Sequence, residues 1–448
     1  MTPTYRPVAI AFVGCGYVFD HYMTTLGGHP ELVVRGVFDI DRARAETVGR
    51  VYGFRVYDSF AELLADDVEL VVNLTSIEAH TAVTRAALDA GKHVYSEKPL
   101  TTDLAEARAL FDLAAARGLT LSAAPCNFLS DTVQTMWRAV RDGAIGTPLL
   151  VYAEFDDNPI YLMKPEGWRS RTGAPWPYIH EYEQGCTFEH VGYHLVWLCA
   201  MFGPARSVTA FSKALVANKT SAPLHPADTP DFSVACIDFA GGVTARVTCS
   251  IVAPADHRLR IIGDEGELST DTYRHYQSPV TLERFSQAGL NARKARSVRT
   301  SPWLGRWFGV GGRTLPLVRH AKSHATLTDT LPVLASQSRP SLPRRLINAV
   351  KRREVGAQDK LLGVAATARA LATGTACPIP SDFILHVTEL TLAIQNAGPN
   401  GGATALTTCF VPLTPIAEAA AVPDARATYR PNFLERRMDR TLDRLHRN

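Results

Sequence analysis

An unbroken apolar run, Val8–Val13, is followed at once by Gly14-Cys15-Gly16 near the start of this chain. Such a run bounded by glycine is typical of a strand buried inside a parallel sheet. The first glycine permits a tight turn, and the second lets the backbone approach a pyrophosphate at the start of the next helix. In the full dinucleotide-binding pattern G-x-G-x-x-G a third glycine follows, but Phe19 stands at that position. The turn alone is therefore a weak signal, and a plain pair of turn glycines is the alternative.

Segments with strand and helix character alternate through the first part of the chain. Strand-like runs at 32–38, 70–74, 93–96 and 119–123 are separated by stretches with helical periodicity. Alternation at this spacing predicts a parallel sheet with right-handed crossovers. After about residue 126 the pattern changes to helices and a meander of short strands.

The predicted fold class is therefore α/β, with an N-terminal Rossmann doubly wound parallel sheet and a C-terminal α+β domain that has an open, largely antiparallel sheet. We place the first domain at residues 1–125 and the second, substrate-binding and oligomerising domain at 126–410, including a basic insertion at about 284–353. Residues 411–448 are predicted to form a linker and a charged C-terminal helix. The 448 residues suffice for two or three domains with full cores.

Polar residues at the ends of the predicted strands outline a cofactor groove. Asp39 ends the second strand, where a carboxylate accepts hydrogen bonds from both ribose hydroxyls and repels a 2′-phosphate, so NAD is predicted in preference to NADP. A helix-capping aspartate is the alternative. His80 is placed to touch the nicotinamide ribose, or else to cap its helix or lie on the surface. The predicted cofactor-binding residues are Gly14, Gly16, Tyr17, Val18, Asp39, Thr75, Ser76, His80, Glu97 and Lys98.

The tripeptide Glu97-Lys98-Pro99 follows the short strand at 93–96. A lysine at the carboxyl end of a parallel strand points into the crevice where doubly wound sheets bind ligands, and the proline restricts Lys98 to extended geometry. With the glycine turn, this favours nicotinamide-dependent redox chemistry with Lys98 as the proton carrier. That role needs a lowered pKa, which we expect burial beside the cationic nicotinamide to provide. An exposed Lys-Pro turn is the alternative.

A second group of candidates lies in the segment Glu-His-Val-Gly-Tyr-His at 189–194, on a predicted helix. His190 and His194 are spaced i, i+4 and so lie on one helix face. We predict them as catalytic residues, with two core or surface histidines as the alternative. A zinc site would need a third ligand and, for hydrolysis, a glutamate between the histidines, whereas Glu189 precedes both; no metal is therefore predicted.

Composition favours a soluble globular protein, with 46% apolar and 20% charged residues. No apolar run approaches the roughly 18 residues that a membrane-spanning helix needs. The N-terminus lacks the apolar core of a signal peptide, and the eight cysteines are scattered without a CxxC pair. These features favour a reducing compartment, and we predict a cytoplasmic protein.

The charge of the chain is unevenly distributed. The formal net charge is +3, yet residues 284–353 contain fifteen Lys or Arg and one acid, Asp329, so the rest of the chain carries −11. Two interpretations of this segment are open: packing on the protein's own acidic remainder or on a second subunit, and weak contact with anionic membranes. Nucleic acid is not expected, because no recognised binding motif accompanies the charge. The apolar and cationic cluster of this segment is Trp303, Leu304, Arg306, Trp307 and Phe308.

Taken together, these motifs resemble the glucose-fructose oxidoreductase/inositol dehydrogenase (Gfo/Idh/MocA) family. The resemblance covers about residues 7–283 and 356–398, and is carried by the Gly14-x-Gly16 turn, Asp39, the Ala-Gly-Lys-His-Val-Tyr-Ser-Glu-Lys-Pro-Leu run at 90–100 and the Gly-Tyr-His segment. It implies a Rossmann domain followed by an open mixed sheet. It also implies oxidation or reduction of sugar, inositol or nucleotide-sugar hydroxyls with NAD(P).

The resemblance assigns roles residue by residue. The lysine of the family's Glu-Lys-Pro motif maps onto Lys98, and its catalytic histidine, in the pattern Asp-x-Gly-x-His-x-x-Asp, maps onto His194. His190 and Trp197 replace both aspartates of that pattern, so His190 is expected to join the acid–base relay. Asn127 stands where many members carry arginine or tyrosine, which implies an unusual substrate.

We therefore predict an NAD-dependent oxidoreductase that transfers hydride between nicotinamide and a hydroxyl or keto carbon of a sugar, cyclitol or nucleotide sugar, with Lys98 or His194 taking the proton. A homo-oligomer, dimer or tetramer, is expected. One alternative is a redox-neutral enzyme that retains NAD and cleaves a glycosidic bond through transient oxidation. The other is a non-catalytic nucleotide-binding sensor, which would need neither Lys98 nor a histidine pair. The candidate substrate contacts are Asn127, Glu154, Asp156, Trp168, Arg169 and His180.

Overall fold

The N-terminal half of the fold is a five-stranded parallel sheet in the order β2-β1-β3-β4-β5. The computed structural model describes residues 6–271, 276–318, 342, 358–416 and 433–445. The strands are β1 (Val8–Val13), β2 (Leu32–Phe38), β3 (Leu70–Asn73), β4 (His93–Ser96) and β5 (Leu121–Ala123). The helices between them are α1 (Tyr17–Met23), α2 (Arg42–Tyr52), α3 (Phe60–Ala65), α4 (Ile77–Asp89) and α5 (Leu104–Ala116).

Local sequence signals explain where these elements begin and end. Strands β1 and β3 are buried at every residue, as expected for a sheet covered by helices on both faces. The side chains of Asp41, Ser59 and Asp103 each accept a hydrogen bond from a backbone N–H in the first turn of the helix that follows. Gly53 ends α2 in the left-handed conformation that favours glycine. The predicted doubly wound sheet is confirmed.

The second sheet has nine strands in the order β13-β12-β11-β10-β6-β9-β8-β7-β14. All neighbours are antiparallel except β6 and β9, which pair in parallel, so the sheet is mixed but largely antiparallel, as predicted. Its strands are β6 (Pro148–Asp156), β7 (Ala205–Lys213), β8 (Phe232–Phe239), β9 (Thr244–Ser250), β10 (Leu259–Gly263), β11 (Gly266–Thr270), β12 (Val280–Arg284), β13 (Arg313–Leu315) and β14 (Gly402–Ala405).

The remaining described helices belong to this second part of the chain or follow it. They are α6 (Asp131–Arg141), α7 (Tyr178–Gln184), α8 (Gly192–Phe202), α9 (Gln287–Ala292), α10 (Arg296–Thr300), α11 (Pro302–Trp307), α12 (Leu361–Thr373), α13 (Ser381–Gln395) and α14 (Phe433–Leu445). Side chains of β6 alternate between the two faces of the sheet. Phe155 is buried against the rings of α8, while Tyr152 faces the other side, where the Arg246 guanidinium lies 4.7 Å from its ring centroid.

Helix α12 packs on the N-terminal sheet although it lies far along the chain. A side chain at Gly363 would place its Cβ 2.4 Å from the hydroxyl of Tyr95 in β4, so only glycine allows this approach. Arg369 pairs with Glu31 at 2.5 Å. Just before α12, Asp359 accepts hydrogen bonds from the buried Thr25 hydroxyl, at 2.7 Å, and from His29 Nε2, at 2.9 Å. The predicted domain boundary at residue 125 therefore assigns α12 to the second domain in sequence, although this helix packs on the first sheet.

The buried pair of His29 and Asp359 gives a testable dependence of stability on pH. Burial alone would lower the pKa of His29, but its hydrogen bonds to Asp359 and Glu31 outweigh burial and raise that pKa to about 9. Because the folded-state pKa lies above the ordinary value near 6.5, this stabilisation is fully present below pH 6.5 and is lost as pH rises through about 9. We expect the free energy of unfolding to lose about 3 kcal/mol over that interval.

Chemical denaturation at several pH values would measure this slope, and the variant His29→Gln should remove that part of it. An unchanged slope in the variant would contradict the assignment.

The basic segment contributes short helices and an edge strand in its described part. Helices α9, α10 and α11 precede β13, which pairs with β12. Asp439 in α14 accepts a hydrogen bond from the backbone N–H of Ala288 at 3.0 Å, so the predicted C-terminal helix packs on α9. The predicted insertion beyond residue 318, except position 342, and most of the predicted linker lie outside the described residues. No described helix has the length and apolar character to cross a membrane.

Candidate functional site

The turn between β1 and α1 has the shape of a dinucleotide cradle. Gly14 has φ +96°, and a Cβ there would lie 2.5 Å from the carbonyl oxygen of Leu74, so this position requires glycine. A Cβ at Gly16 would meet nothing within 4 Å, which leaves the start of α1 open to a ligand. Tyr17 and Val18 are half-buried in the first turn of α1. These features fit the pyrophosphate of a dinucleotide at the helix start.

Asp39 lies at the end of β2 with its carboxylate held in one orientation. The backbone N–H of Cys15 donates to Oδ2 at 2.7 Å, and that of Asp41 donates to Oδ1 at 2.8 Å. Each oxygen retains acceptor capacity for a further hydrogen bond. This arrangement at the strand end fits the hydroxyls of a ribose.

His80, the predicted ribose contact, has both ring nitrogens within hydrogen-bond distance of backbone carbonyls in two loops at the edge of the sheet. The ring is buried, with Nδ1 2.7 Å from the carbonyl oxygen of Pro99 and Nε2 3.1 Å from that of Thr75. Burial lowers the pKa of His80 despite these two carbonyl contacts. Thr75 donates its hydroxyl to Asn73 at 2.7 Å, and Ser76 is the N-cap residue of α4. His80 therefore fixes the loop that carries Lys98.

Lys98 lies at the end of β4 and pairs directly with Glu189. The two side chains are only 17% and 15% exposed. Burial by itself would lower the pKa of Lys98, but the negative charge of Glu189, with Tyr193 and Glu97, raises it well above its ordinary value. Lys98 is therefore an ammonium at neutral pH. The predicted lowering of this pKa depended on a bound nicotinamide and did not include the carboxylate of Glu189, which acts in the opposite direction.

Glu97 is a buried carboxylate surrounded by donors. Tyr22 donates its hydroxyl to Oε1 at 2.9 Å, the backbone N–H of Lys98 donates to Oε2 at 2.9 Å, and Lys360 Nζ lies 3.8 Å from Oε1. Burial would raise the pKa of Glu97, but Lys360 and Lys98 together lower it. Glu97 thus acts as an internal counter-ion and hydrogen-bond acceptor, enclosed beneath the site.

Tyr193 and Lys360 complete the polar cluster around Lys98. Lys360 Nζ lies 3.4 Å from the hydroxyl of Tyr193, which is half-buried at the second position of α8. Asn127, fully buried, donates its amide to the backbone carbonyl of Tyr193 at 3.0 Å, so it supports the site from behind and does not line it. Sequence reasoning did not single out Glu189, Tyr193 or Lys360. The i, i+4 spacing of Glu189 and Tyr193 is the signal that was available.

His190 and His194 face the second sheet and not Lys98. Both rings pack on Phe155, at centroid distances of 5.0 and 5.8 Å. His190 Nε2 lies 2.5 Å from Glu181, and His194 Nε2 donates to the carbonyl oxygen of Glu154 at 2.7 Å. Burial lowers the pKa of His194 to about 3, so this ring is neutral.

The residues that face Lys98 precede the two histidines by one position each. Residues Thr187–Val191 are wound as a π-helix, whose wider turn changes which side chains share a face. The geometry does not support the predicted catalytic roles of His190 and His194.

His194→Leu tests the structural role that this geometry gives to His194. The variant leaves the buried carbonyl of Glu154 without its donor, so we expect a loss of about 1–3 kcal/mol in the free energy of unfolding. The rate per folded molecule should stay near that of the wild type. Thermal unfolding would measure the stability, and active-site titration would give the rate per folded molecule. A rate about 10²-fold lower in fully folded protein would indicate that His194 takes part in proton transfer.

Two of the predicted substrate contacts point away from Lys98. Glu154 and Asp156 lie on β6 with the opposite orientation to Phe155, because successive side chains of a strand alternate between faces. Glu154 pairs with Arg246, and Asp156 accepts from the hydroxyl of Ser250 at 2.5 Å. The prediction chose Glu154 and Asp156 because they lie near the strand end, and it did not consider which face of the sheet each side chain occupies.

Other predicted contacts lie in the loop that joins β6 to α7 and at the start of α7. Trp168 packs on Trp176 at a centroid distance of 4.8 Å, and the Arg169 guanidinium donates to backbone carbonyls of its own loop. His180 Nδ1 lies 3.0 Å from Glu78 at the start of α4, so it joins the two domains beside the groove. The structure does not bring Trp168 or Arg169 to Lys98 through a described contact.

The same loop covers helix α1. The backbone N–H and the hydroxyl of Thr172 donate to Asp20 Oδ2 at 2.7 and 2.9 Å, and Tyr52 donates to Oδ1 of the same residue at 2.6 Å. The second domain thereby closes one side of the cofactor groove. Among the described residues, no group of three or more His, Cys, Asp and Glu side chains is placed to hold a metal ion.

Comparison with known proteins extends these observations. The model of an oxidoreductase family with an NAD-binding Rossmann fold, GFO/IDH/MocA, matches residues 8–124, and that family's C-terminal domain matches residues 133–269. Trans-1,2-dihydrobenzene-1,2-diol dehydrogenase from Oryctolagus cuniculus is 28% identical over 261 residues, which cover 57% of this chain and 72% of the relative. For other curated relatives the match spans 54%, 40% or 31% of their length.

Solved structures share the fold at low identity. The WlbA dehydrogenase from Bordetella pertussis, in complex with NADH and UDP-GlcNAcA, has a TM-score of 0.60 at 16% identity, over 90% of this chain and 99% of the other. The 3-ketoreductase KijD10 from Actinomadura kijaniata, in complex with NADP and TDP-benzene, has a TM-score of 0.60 at 20% identity, over 88% and 98%. Both nicotinamide cofactors thus occur among proteins of this fold.

Proposed function

This chain belongs to the GFO/IDH/MocA family of NAD(P)-binding oxidoreductases, and from that premise we propose that it is an NAD-dependent enzyme acting on a hydroxyl or keto carbon of a sugar, cyclitol or nucleotide sugar. The observation that carries the proposal is the Lys98–Glu189 pair at the end of β4. Lys98 follows β4, a strand of the same sheet that carries the Gly14–Gly16 cradle and Asp39, at the carboxyl edge where such sheets bind ligands. Relatives that act on dihydrodiols and nucleotide sugars support the substrate class.

The residues around Lys98 have different roles in the proposed reaction. When bound, the cofactor supplies a hydride to the substrate carbon or accepts one from it. The Lys98 ammonium donates a hydrogen bond to the substrate oxygen and stabilises the negative charge that develops there during reduction. The Tyr193 hydroxyl provides the proton for that oxygen. Glu189 keeps Lys98 charged, and the enclosed Glu97 holds its backbone in place.

A screen of both reaction directions tests this function. Purified protein would be mixed with NAD and a panel of sugars, cyclitols and nucleotide sugars, and with NADH and the corresponding keto compounds, while absorbance at the nicotinamide band is followed. Turnover of at least one compound is the expected result. Product formation from glycosides without net NADH production would instead favour the redox-neutral alternative.

We further propose that NAD is bound in preference to NADP. The Asp39 carboxylate is fixed by two backbone N–H donors at the place where the adenosine ribose is expected. A 2′-phosphate there would meet a second negative charge, which costs binding energy. We expect a Kd for NADH at least about tenfold below that for NADPH, a difference of about 1.4 kcal/mol. Fluorescence titration of both would decide, and Asp39→Ser should reduce the difference.

Assembly and location are also proposals. We propose a homo-oligomer through the face of the nine-stranded sheet that carries Tyr152 and Arg246, which light scattering after gel filtration would test. All eight cysteines are free thiols, which supports a cytoplasmic location.

Contact with anionic membranes is proposed for the described part of the basic segment. There Trp303 and Trp307, 61% and 44% exposed, lie 4.2 Å apart between ring centroids. Exposed Arg299 and Arg306 lie on either side of the first of these tryptophans in sequence. Interfacial tryptophan beside arginine is typical of weak lipid contact. Sedimentation with anionic and with zwitterionic vesicles would test the proposal. The cationic residues predicted further along, Arg344, Arg345, Lys351, Arg352 and Arg353, lie outside the described residues.

A further inference from the structure

We infer that Lys360 is a positioning residue that holds the Tyr193 hydroxyl and stabilises its negative charge when it gives up a proton, a role that rests on the proposed function. Lys360 comes from outside both family-matched regions of the chain, which end at residue 269. Its side chain is 12% exposed, and a buried ammonium is costly unless negative or polar groups face it. The Lys360 ammonium therefore needs a negative or polar partner within the site.

The surroundings of the Lys360 ammonium point to the phenol. Nζ lies 3.4 Å from the hydroxyl of Tyr193 and 3.8 Å from Glu97 Oε1. It also lies 5.7 Å from the ring centroid of Tyr193 and 5.9 Å from that of Tyr22. Glu97 already has a neutral donor in Tyr22 and a backbone donor, and the shorter of the two described distances from Lys360 Nζ is the one to the Tyr193 hydroxyl.

The direct partner of the Lys98 ammonium is Glu189. Burial would lower the pKa of Lys360, but Tyr193 and Glu97 raise it, so Lys360 stays protonated and does not itself transfer a proton near neutral pH. An ammonium at this distance favours the charged form of an acidic neighbour.

The position of Lys360 is fixed through the residue before it. Asp359 is held by Thr25 and His29 of the first domain, so the backbone that enters α12 is anchored on the Rossmann sheet. The close approach of Gly363 to Tyr95 fixes the next turn of the helix. The ammonium is therefore presented to Tyr193 by rigid elements rather than by a loop.

The proton transfer balances with Tyr193, the substrate oxygen and water. During reduction the Tyr193 O–H bond breaks, its proton forms the new O–H bond of the product alcohol, and the electron pair stays on the phenol oxygen. Lys360 keeps its protons and donates a hydrogen bond to the phenolate. The phenolate then regains a proton from water. In the oxidation direction the same steps run in reverse.

Nitration of Tyr193 tests this inference without turnover, because tetranitromethane attacks the ionised phenol. Peptide mass spectrometry would quantify nitrotyrosine at position 193 in the wild type, Lys360→Met and Lys360→Arg, with Tyr193→Phe to identify the peptide. We expect nitration to fall about tenfold in Lys360→Met, because the phenolate loses its ammonium neighbour, and to recover in Lys360→Arg.

Lys219→Met is the matched control for loss of a buried ammonium. Its Nζ pairs with Asp231 at 3.0 Å and its side chain is 1% exposed, but it lies outside the cluster. This control should leave both Tyr193 nitration and kcat per folded molecule unchanged. In Lys360→Met, kcat should fall about 10²-fold while the Kd for NADH, measured by fluorescence, is unchanged.

The two readouts separate failure of the inference from failure of the function. Equal nitration and equal kcat in Lys360→Met and the wild type would overturn the role of Lys360 and leave the proposed function standing. Reduced nitration in Lys360→Met, with no turnover by the wild type on any compound, would support the coupling to Tyr193 and refute the proposed function. Unchanged nitration with reduced kcat would overturn the inference as well, because Lys360 would then act on another group.

Discussion

Lys98→Met is expected to lower kcat by about 10²–10³-fold while binding of NADH is unchanged. The side chains are similar in length, so the variant removes the ammonium and keeps the volume. The substrate oxygen would then lose the charge that stabilises it as hydride arrives. Stopped-flow turnover and fluorescence titration would measure the two quantities separately. A variant that turns over at nearly the wild-type rate would exclude Lys98 from the chemistry.

Lys92→Met is the control for this experiment. Lys92 lies in the same domain, and its Nζ donates to the backbone carbonyl of Asp66 at 2.9 Å, away from the groove. It should show normal turnover. Glu189→Gln extends the test, because removal of the counter-ion lowers the pKa of Lys98. The loss of activity at high pH should therefore begin at a lower pH in Glu189→Gln than in the wild type.

Gly14→Ala is expected to destabilise the protein by about 3 kcal/mol or more. The added Cβ would lie 2.5 Å from the carbonyl oxygen of Leu74 and 2.6 Å from its carbon, both backbone atoms of the neighbouring strand end. The φ of +96° adds strain that side chains rarely tolerate. Chemical denaturation would measure the loss.

Gly16→Ala separates stability from cofactor binding. Nothing in the protein lies within 4 Å of the added Cβ, so the free energy of unfolding should change by no more than about 0.5 kcal/mol. The methyl group would project where the pyrophosphate is expected, and NADH should bind at least about tenfold more weakly. Normal NADH affinity in Gly16→Ala would show that the cofactor does not approach this turn.

The fold could be predicted largely from local patterns. The unbroken burial of β1 and the alternating burial of strands such as β10 match their apolar patterns in the sequence, so periodicity alone separates the two kinds of sheet. The glycine turn could be predicted because Gly14 must adopt a positive φ, and Asp39 could be predicted because it follows the end of β2. Periodicity does not show which elements pack against each other. For this reason α12 was predicted within the second domain by its place in the sequence, although it contacts the first sheet.

The site could be predicted only in part, and the reason is geometric. Lys98 was found because a strand end and a proline fix its place. Its partners were sought at His190 and His194, whereas Glu189 and Tyr193 face it, one position earlier in each case. Both pairs have the same i, i+4 spacing, so the helical repeat alone does not show which pair faces Lys98, and the π-turn at Thr187–Val191 changes the face further. Lys360 is 167 residues away from Tyr193 in sequence, beyond any local pattern.

The contact of Asp359 with Thr25 and His29 also sets the order of events during synthesis. The partners are separated by 334 and 330 residues, so the cofactor-binding half is incomplete when its own strands leave the ribosome. Strand β5 ends at residue 123 and α12 begins at residue 361, so at about 5–20 residues per second the missing helix follows roughly 10–50 s later. Throughout that interval the first domain lacks the helix that packs on it, whose residues Leu361, Val364 and Ala368 are fully buried in the finished fold. Nascent-chain release assays should therefore find NADH binding only after α12 has emerged.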